Sequence, residues 1–104
     1  MDDKTYIILK ELKNNISHKF NIIEMKLFGS LAKGKNTKNS DIDVFLCVSQ
    51  LTPEIEIELF AYAYDLELKY DCLIDLIVFD DISLENKYKI TPIYQKIIKE
   101  GINI

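Results

Sequence analysis

The chain has 104 residues, 48% of them hydrophobic, and its seventeen acidic and thirteen basic side chains leave a net charge of −4. That length suits one domain with a sizeable core, read here as a single unit spanning 1–104, and the composition argues against intrinsic disorder. Every cation is a Lys and none an Arg, so direct nucleic-acid binding through a basic surface is not expected, and two cysteines are too few for a disulfide scaffold.

No apolar run approaches the roughly 18 residues of a membrane span. The opening Met1-Asp2-Asp3-Lys4 lacks the basic and apolar regions of a secretory signal. A cytoplasmic protein without a membrane association is the expectation.

Residues 3–17 read as a helix, with Ile8, Leu9, Leu12 and Ile16 at helical spacing. Ile22–Phe28 is apolar and β-branched, a strand that stops at Gly29-Ser30. The stretch from Gly29 to Ser40 is small and polar and holds two of the three glycines; it reads as a functional loop with one short helical turn after Gly29. Asp41–Val48 is a second strand, buried on both faces along most of its length. Thr52-Pro53 combines an N-cap hydroxyl with Pro at the first helical position. The helix it opens carries an apolar stripe of Ile55, Leu59, Ala63, Leu66 and Tyr70. Cys72–Phe79 is a third strand. Residues 80–90 have no clear pattern beyond one turn near Ser83. Thr91-Pro92 repeats the cap-plus-Pro signal, and Ile93, Ile97 and Ile98 mark a last helix that Gly101 stops. The order α-β-loop-β-α-β-α predicts an α/β or α+β fold: a small mixed three-stranded sheet with helices packed on one face.

Three carboxylates do not belong in such strands. Asp41 and Asp43 are two apart and point to one face, and Asp75 is a lone charge within CLIDLIVF. Acidic groups in apolar strands are costly unless paired or bound to a cation. The helix between the second and third strands is long enough for a parallel crossover, which brings Asp75 near Asp41 and Asp43. An antiparallel first strand delivers Ser30 to the same end of the sheet. Three anions in one corner repel, by roughly 4 kcal/mol per pair at about 4 Å and an effective dielectric of 20. A cation resolves that conflict, and oxygen ligands without nearby His or Cys select Mg²⁺ or Mn²⁺. A Gly-Ser turn beside it supplies backbone N–H groups and a hydroxyl for phosphate oxygens. The corner therefore suits phosphoryl or nucleotidyl transfer.

Gly29-Ser30, ten intervening residues, Asp41-Ile42-Asp43 and Asp75 in a later strand resemble the DNA polymerase β-type nucleotidyltransferase superfamily. The length, the SLAKG-x5-SDIDV wording and the KIIKEG ending are similar to its minimal nucleotidyltransferase members, the antitoxins of HEPN toxin pairs. The resemblance covers nearly the whole chain. It implies that Asp41, Asp43 and Asp75 hold the metal pair, that Asp75 faces the acceptor hydroxyl, and that Gly29 and Ser30, with Lys33 and Ser40, bind the ATP phosphates. Attack of a hydroxyl on the α-phosphorus then expels pyrophosphate in a two-metal, in-line displacement. The implied acceptor is a tyrosine of a cognate HEPN toxin, which AMP transfer silences. The family's loop often reads Ala-Arg-Gly where this chain has Ala32-Lys33-Gly34; Lys keeps the charge and loses the planar fork. Two alternatives stay open: occlusion of the partner by a non-catalytic antitoxin, and adenylylation of a small molecule.

Other features have plainer readings. Gly29–Lys35 imitates a P-loop, but Asn36 replaces its Ser or Thr and a strand follows where a long helix is needed. Lys35 and Lys38 read as solvated loop charges, and Asp80 and Asp81 as turn residues. His18, the single histidine, lies in a polar connection. Cys47 and Cys72 read as small buried hydrophobes. Tyr62 and Tyr64 diverge by about 200° on their helix, so one of them must be exposed and available to a partner.

Overall fold

Caps and strand pairing account for most of the architecture, which a computed structural model describes for residues 2–34, 41–82 and 91–104. Helix α1 (Asp3–Ser17) starts where Thr5 N–H donates to Asp2 Oδ1 at 2.7 Å. It leads to strand β1 (Ile22–Phe28) and a single helical turn, α2 (Gly29–Ala32). Strand β2 (Ile42–Val48) is followed by α3 (Pro53–Tyr70), where Ile55 N–H donates to Thr52 Oγ1 at 3.2 Å and Pro53 occupies the first turn. Strand β3 (Ile74–Asp80), helix α4 (Pro92–Glu100) and a two-residue strand β4 (Ile102–Asn103) complete the chain. Helix α4 repeats the same cap, Tyr94 N–H donating to Thr91 Oγ1 at 3.3 Å. Among the described residues no helix is long and apolar enough to cross a membrane.

The sheet order is β3-β2-β1-β4. β1 runs antiparallel to β2, and β2 runs parallel to β3 through the α3 crossover, as expected from the sequence; β1 also runs antiparallel to β4. Ile42, Val44, Leu46 and Val48 of β2 face a core built with Ile8, Leu9, Leu12 and Ile16 of α1 and Leu59, Ala63 and Leu66 of α3. Alternate residues Phe45 and Cys47 face the other way and pack with Phe28 and Ile97 of α4. Both faces of β2 are therefore buried, and its near-continuous apolar run follows from that.

The expected fold class holds, and two of its details change. The sheet has four strands: β4 pairs Ile102 with Leu27 and Asn103 with Lys26, and a two-residue strand leaves no periodic signal to read. Lys26 Nζ donates to Asn103 Oδ1 at 2.7 Å and Lys13 Nζ to the Ile104 carbonyl at 2.6 Å, fixing this edge. The helices also occupy both faces, because the apolar residues Phe45 and Cys47 need a cover opposite α1 and α3, and α4 supplies it. Only Ile97 of the expected α4 stripe is buried; Ile93 and Ile98 remain substantially exposed. Strand β3 begins two residues later than expected, because Asp71 caps α3 in the left-handed conformation (φ +52°) before the chain extends. Ser83 and the rest of 83–90 lie outside the described residues.

Candidate active site

The register places Asp43 at the centre of one sheet end. On one side β1 sets Phe28 opposite it, and on the other β3 sets Asp75 beside it in parallel register. Gly29 follows Phe28 with φ +75°, a backbone conformation that L side chains rarely adopt. A Cβ there would fall on Asp43 Oδ2 and lie 3.0 Å from Asp43 Cγ. Glycine is thus required twice, once for the left-handed turn and once for the approach of the acidic side chain. Ser30, half-buried, comes next as the second residue of α2.

The electrostatics match that crowding. Burial pushes the half-buried Asp43 carboxyl above its ordinary value, the charges of Asp75 and Asp41 push further, and a hydrogen bond with Asp75 adds to the effect. Such a bond needs a proton between the two carboxyls when no cation is present. Lys96 of α4 acts in the opposite direction on Asp43. Asp41 and Asp75 are themselves exposed. Among the described residues no three acidic, His or Cys side chains converge as a closed three-ligand set; Asp43 and Asp75 meet directly, and Asp41 contributes through its charge. An oxygen-only donor set under mutual repulsion, beside a glycine cradle, fits a hard divalent cation such as Mg²⁺ or Mn²⁺.

The other expected residues fare differently. Lys33 is near the site but already committed, its ammonium 3.3 Å from Glu100 Oε2 at the end of α4. Ser40 lies outside the described residues, as do Lys35 and Lys38. The P-loop imitation holds a helical turn, Gly29–Ala32, where a phosphate-binding loop would be, and the positions of its following helix lie outside the described residues. His18 is exposed at the end of α1, its Nδ1 2.7 Å from the Asn14 carbonyl. Burial drives the Cys47 thiol up to about 11, so it is inert at neutral pH.

Two residues that shape the site carry no signal in the sequence. Lys96 acts on Asp43 only because α4 crosses the sheet face that carries it, and no spacing rule connects positions 43 and 96. Glu67 of α3 accepts the Ile74 N–H on Oε2 at 2.8 Å, tying the end of α3 to the start of β3 one residue before Asp75. A carboxylate seven residues upstream of a strand carries no recognisable signature.

Comparison with known proteins agrees with this geometry. Residues 9–102 match the family model described as a nucleotidyltransferase domain. A Methanocaldococcus jannaschii protein, provisionally named a protein adenylyltransferase, is 36% identical over 75 residues, covering 69% of this chain and 76% of that protein. Among solved structures, a toxin–antitoxin complex with AMP-PNP superposes with a TM-score of 0.59 at 27% identity, over 95% of this chain and 70% of that one. A tyrosine-to-alanine variant of the MntA–HepT toxin–antitoxin pair gives a TM-score of 0.61 at 26% identity, over 100% of this chain and 72% of that one.

Proposed function

The chain belongs to the nucleotidyltransferase domain family, and from that premise we propose that it transfers AMP from ATP to a hydroxyl, a tyrosine of a cognate HEPN-domain toxin, and so acts as an antitoxin in the cytoplasm. The observation that carries this reading is the position of Asp43, held between the Gly29-Ser30 turn and Asp75 by strand register on both sides. Relatives in toxin–antitoxin complexes, one of them with AMP-PNP, support the nucleotide and a protein partner.

In this mechanism Asp41, Asp43 and Asp75 would hold Mg²⁺ or Mn²⁺. The bound cation would neutralise charge on the phosphates and on the attacking oxygen. Gly29 and Ser30 present backbone and hydroxyl donors to the β- and γ-phosphates, with Ser40 and Lys33 at the margin of the same loop. Lys33 must leave the buried Glu100 Oε2, 3.3 Å from its ammonium, to reach a phosphate. Asp75, exposed at the edge of the pair, faces the incoming hydroxyl and takes its proton as the oxygen attacks the α-phosphorus, the bond to the bridging oxygen breaks and pyrophosphate leaves.

Incubation with labelled ATP, Mg²⁺ and the HEPN-domain partner tests the proposal. The wild type labels the partner, and Asp43→Asn lowers transfer by at least about 100-fold, since metal-held charge stabilisation is worth several kcal/mol. The same substitution raises the melting temperature. The fold raises the Asp43 pKa, so the ionised form is disfavoured in the folded state and stability increases as pH falls through that raised value. Removing the charge gives the equivalent gain at neutral pH, under about 1 kcal/mol after solvent screening, or a few degrees. Transfer that survives Asp43→Asn overturns the catalytic claim.

A further inference from the structure

Helix α3 is apolar on two opposite sides. Leu59, Ala63 and Leu66 face the core. At 100° per residue, Ile57, Ala61, Tyr64 and Leu68 fall close to 180° from that direction, at the i, i+4, i+7, i+11 spacing of a helix contact stripe. All four are exposed, Ile57 by 72%, Tyr64 by 57% and Leu68 by 67%. Aliphatic side chains scattered singly on a surface need no explanation, but a continuous stripe opposite the core does.

Charge decides what can cover it. Helix α3 carries five acidic residues against one lysine. Glu58 is engaged by Lys19 at 2.7 Å and Glu67 by the Ile74 N–H, while Glu54 and Asp65 stand exposed along one border of the stripe. A second copy packed antiparallel would bring these like charges onto the same side of the seam, which is repulsive. The stripe is also only about 16 Å long, short of the roughly 800 Å² per partner that a stable interface buries. It suits one part of a larger contact with a different molecule.

We propose that the outward face of α3, built on Ile57, Ala61, Tyr64 and Leu68, docks a partner protein through an apolar helix bordered by Lys or Arg side chains. This rests on the reading that the acceptor is a protein. The C-terminal end of the stripe lies at the matching end of the sheet: α3 runs from Ile57 toward Leu68 and then joins β3 just before Asp75. Asp43 and Asp75 lie on the sheet face opposite α3, so a partner seated on α3 reaches them through a segment that extends past Leu68 and rounds that end of the sheet.

Binding of the HEPN-domain partner is measured separately from label transfer, using wild type, a Tyr64→Glu/Leu68→Glu variant, a Glu54→Lys/Asp65→Lys variant and Asp43→Asn. The apolar double variant is expected to bind at least about 30-fold more weakly with an unchanged circular dichroism spectrum. The charge-reversed variant, whose core is untouched, also binds more weakly. Asp43→Asn binds as well as wild type. Unchanged affinity in both surface variants overturns the proposal, as does a wild-type chain that forms a homodimer which Tyr64→Glu/Leu68→Glu dissociates. Wild-type binding without label transfer leaves the docking face standing and removes the adenylylation reading instead.

Discussion

Asp43 shows how a single residue can be set against its own surroundings. Its neighbours in β2 are fully buried aliphatic and aromatic side chains, yet it lies beside a second carboxyl and under the charge of a third. Gly29 makes that possible by leaving the space a Cβ would take. Gly29→Ala is therefore expected to lose most transfer activity and to cost about 1–3 kcal/mol of stability, from left-handed strain together with displacement of Asp43. Gly34 provides the control. It has φ +76° but nothing within 4 Å of where a methyl group would stand, so Gly34→Ala costs about 1 kcal/mol from backbone strain alone and leaves transfer nearly intact; melting curves alongside activity separate the two. Lys96 acts on the same carboxyl in the opposite direction. Its charge holds the Asp43 pKa down against burial and two acidic neighbours. Lys96→Met lets that pKa rise, and because a protonated carboxyl cannot hold a cation, the acid limb of the kcat/KM profile moves to higher pH. Lys96→Arg keeps the wild-type profile.

Among the elements, α4 is the one whose position matters most for the site and whose attachment is narrowest. It bears Lys96, its last residue Glu100 pairs with Lys33, and Ile97 is its one fully buried side chain among those described. Tyr94 adds an edge contact to Phe45, 6.1 Å between ring centroids. Ile97→Ala removes the anchor, with an expected cost of about 2–5 kcal/mol if α4 stays docked. If α4 detaches, the global loss is smaller, amide exchange in 92–100 accelerates selectively, and the pH profile shifts as it does for Lys96→Met. Helix α3 is the contrasting case, clamped to α1 through Glu11, which accepts from Lys69 Nζ at 2.9 Å and from Tyr70 Oη at 2.6 Å. That rigidity suits an element used on two faces, one for the core and one for a partner.

For the whole molecule, net charge and topology act together. An acidic chain with α3 contributing five acids on one helix attracts a basic-rimmed partner over a distance set by the Debye length, about 10 Å at 0.1 M salt. Its association rate constant with the HEPN-domain partner is expected to fall about tenfold or more between roughly 50 mM and 500 mM salt, with a smaller change in dissociation. Stopped-flow mixing at several salt concentrations measures this directly. A rate that is insensitive to salt removes the electrostatic part of the docking argument.

The elements with strong local signals were legible from the residues alone. Periodicity and Thr-Pro caps located α1, α3 and α4, apolar β-branched runs located β1 to β3, and the misfit of Asp43 and Asp75 within such runs pointed to a charged corner. These are short-range properties, decided by side-chain chemistry at a spacing of 2 or 3.6 residues. Contacts that join distant stretches were decided only by the tertiary structure. Strand β4 exists because Lys26 and Leu27 had an open edge to pair, and α4 lies opposite the other helices because Phe45 and Cys47 needed cover. Lys33 pairs with Glu100 and Lys96 acts on Asp43 because the chain brings together residues separated by more than fifty positions, and no local pattern records which side chains will meet across that separation.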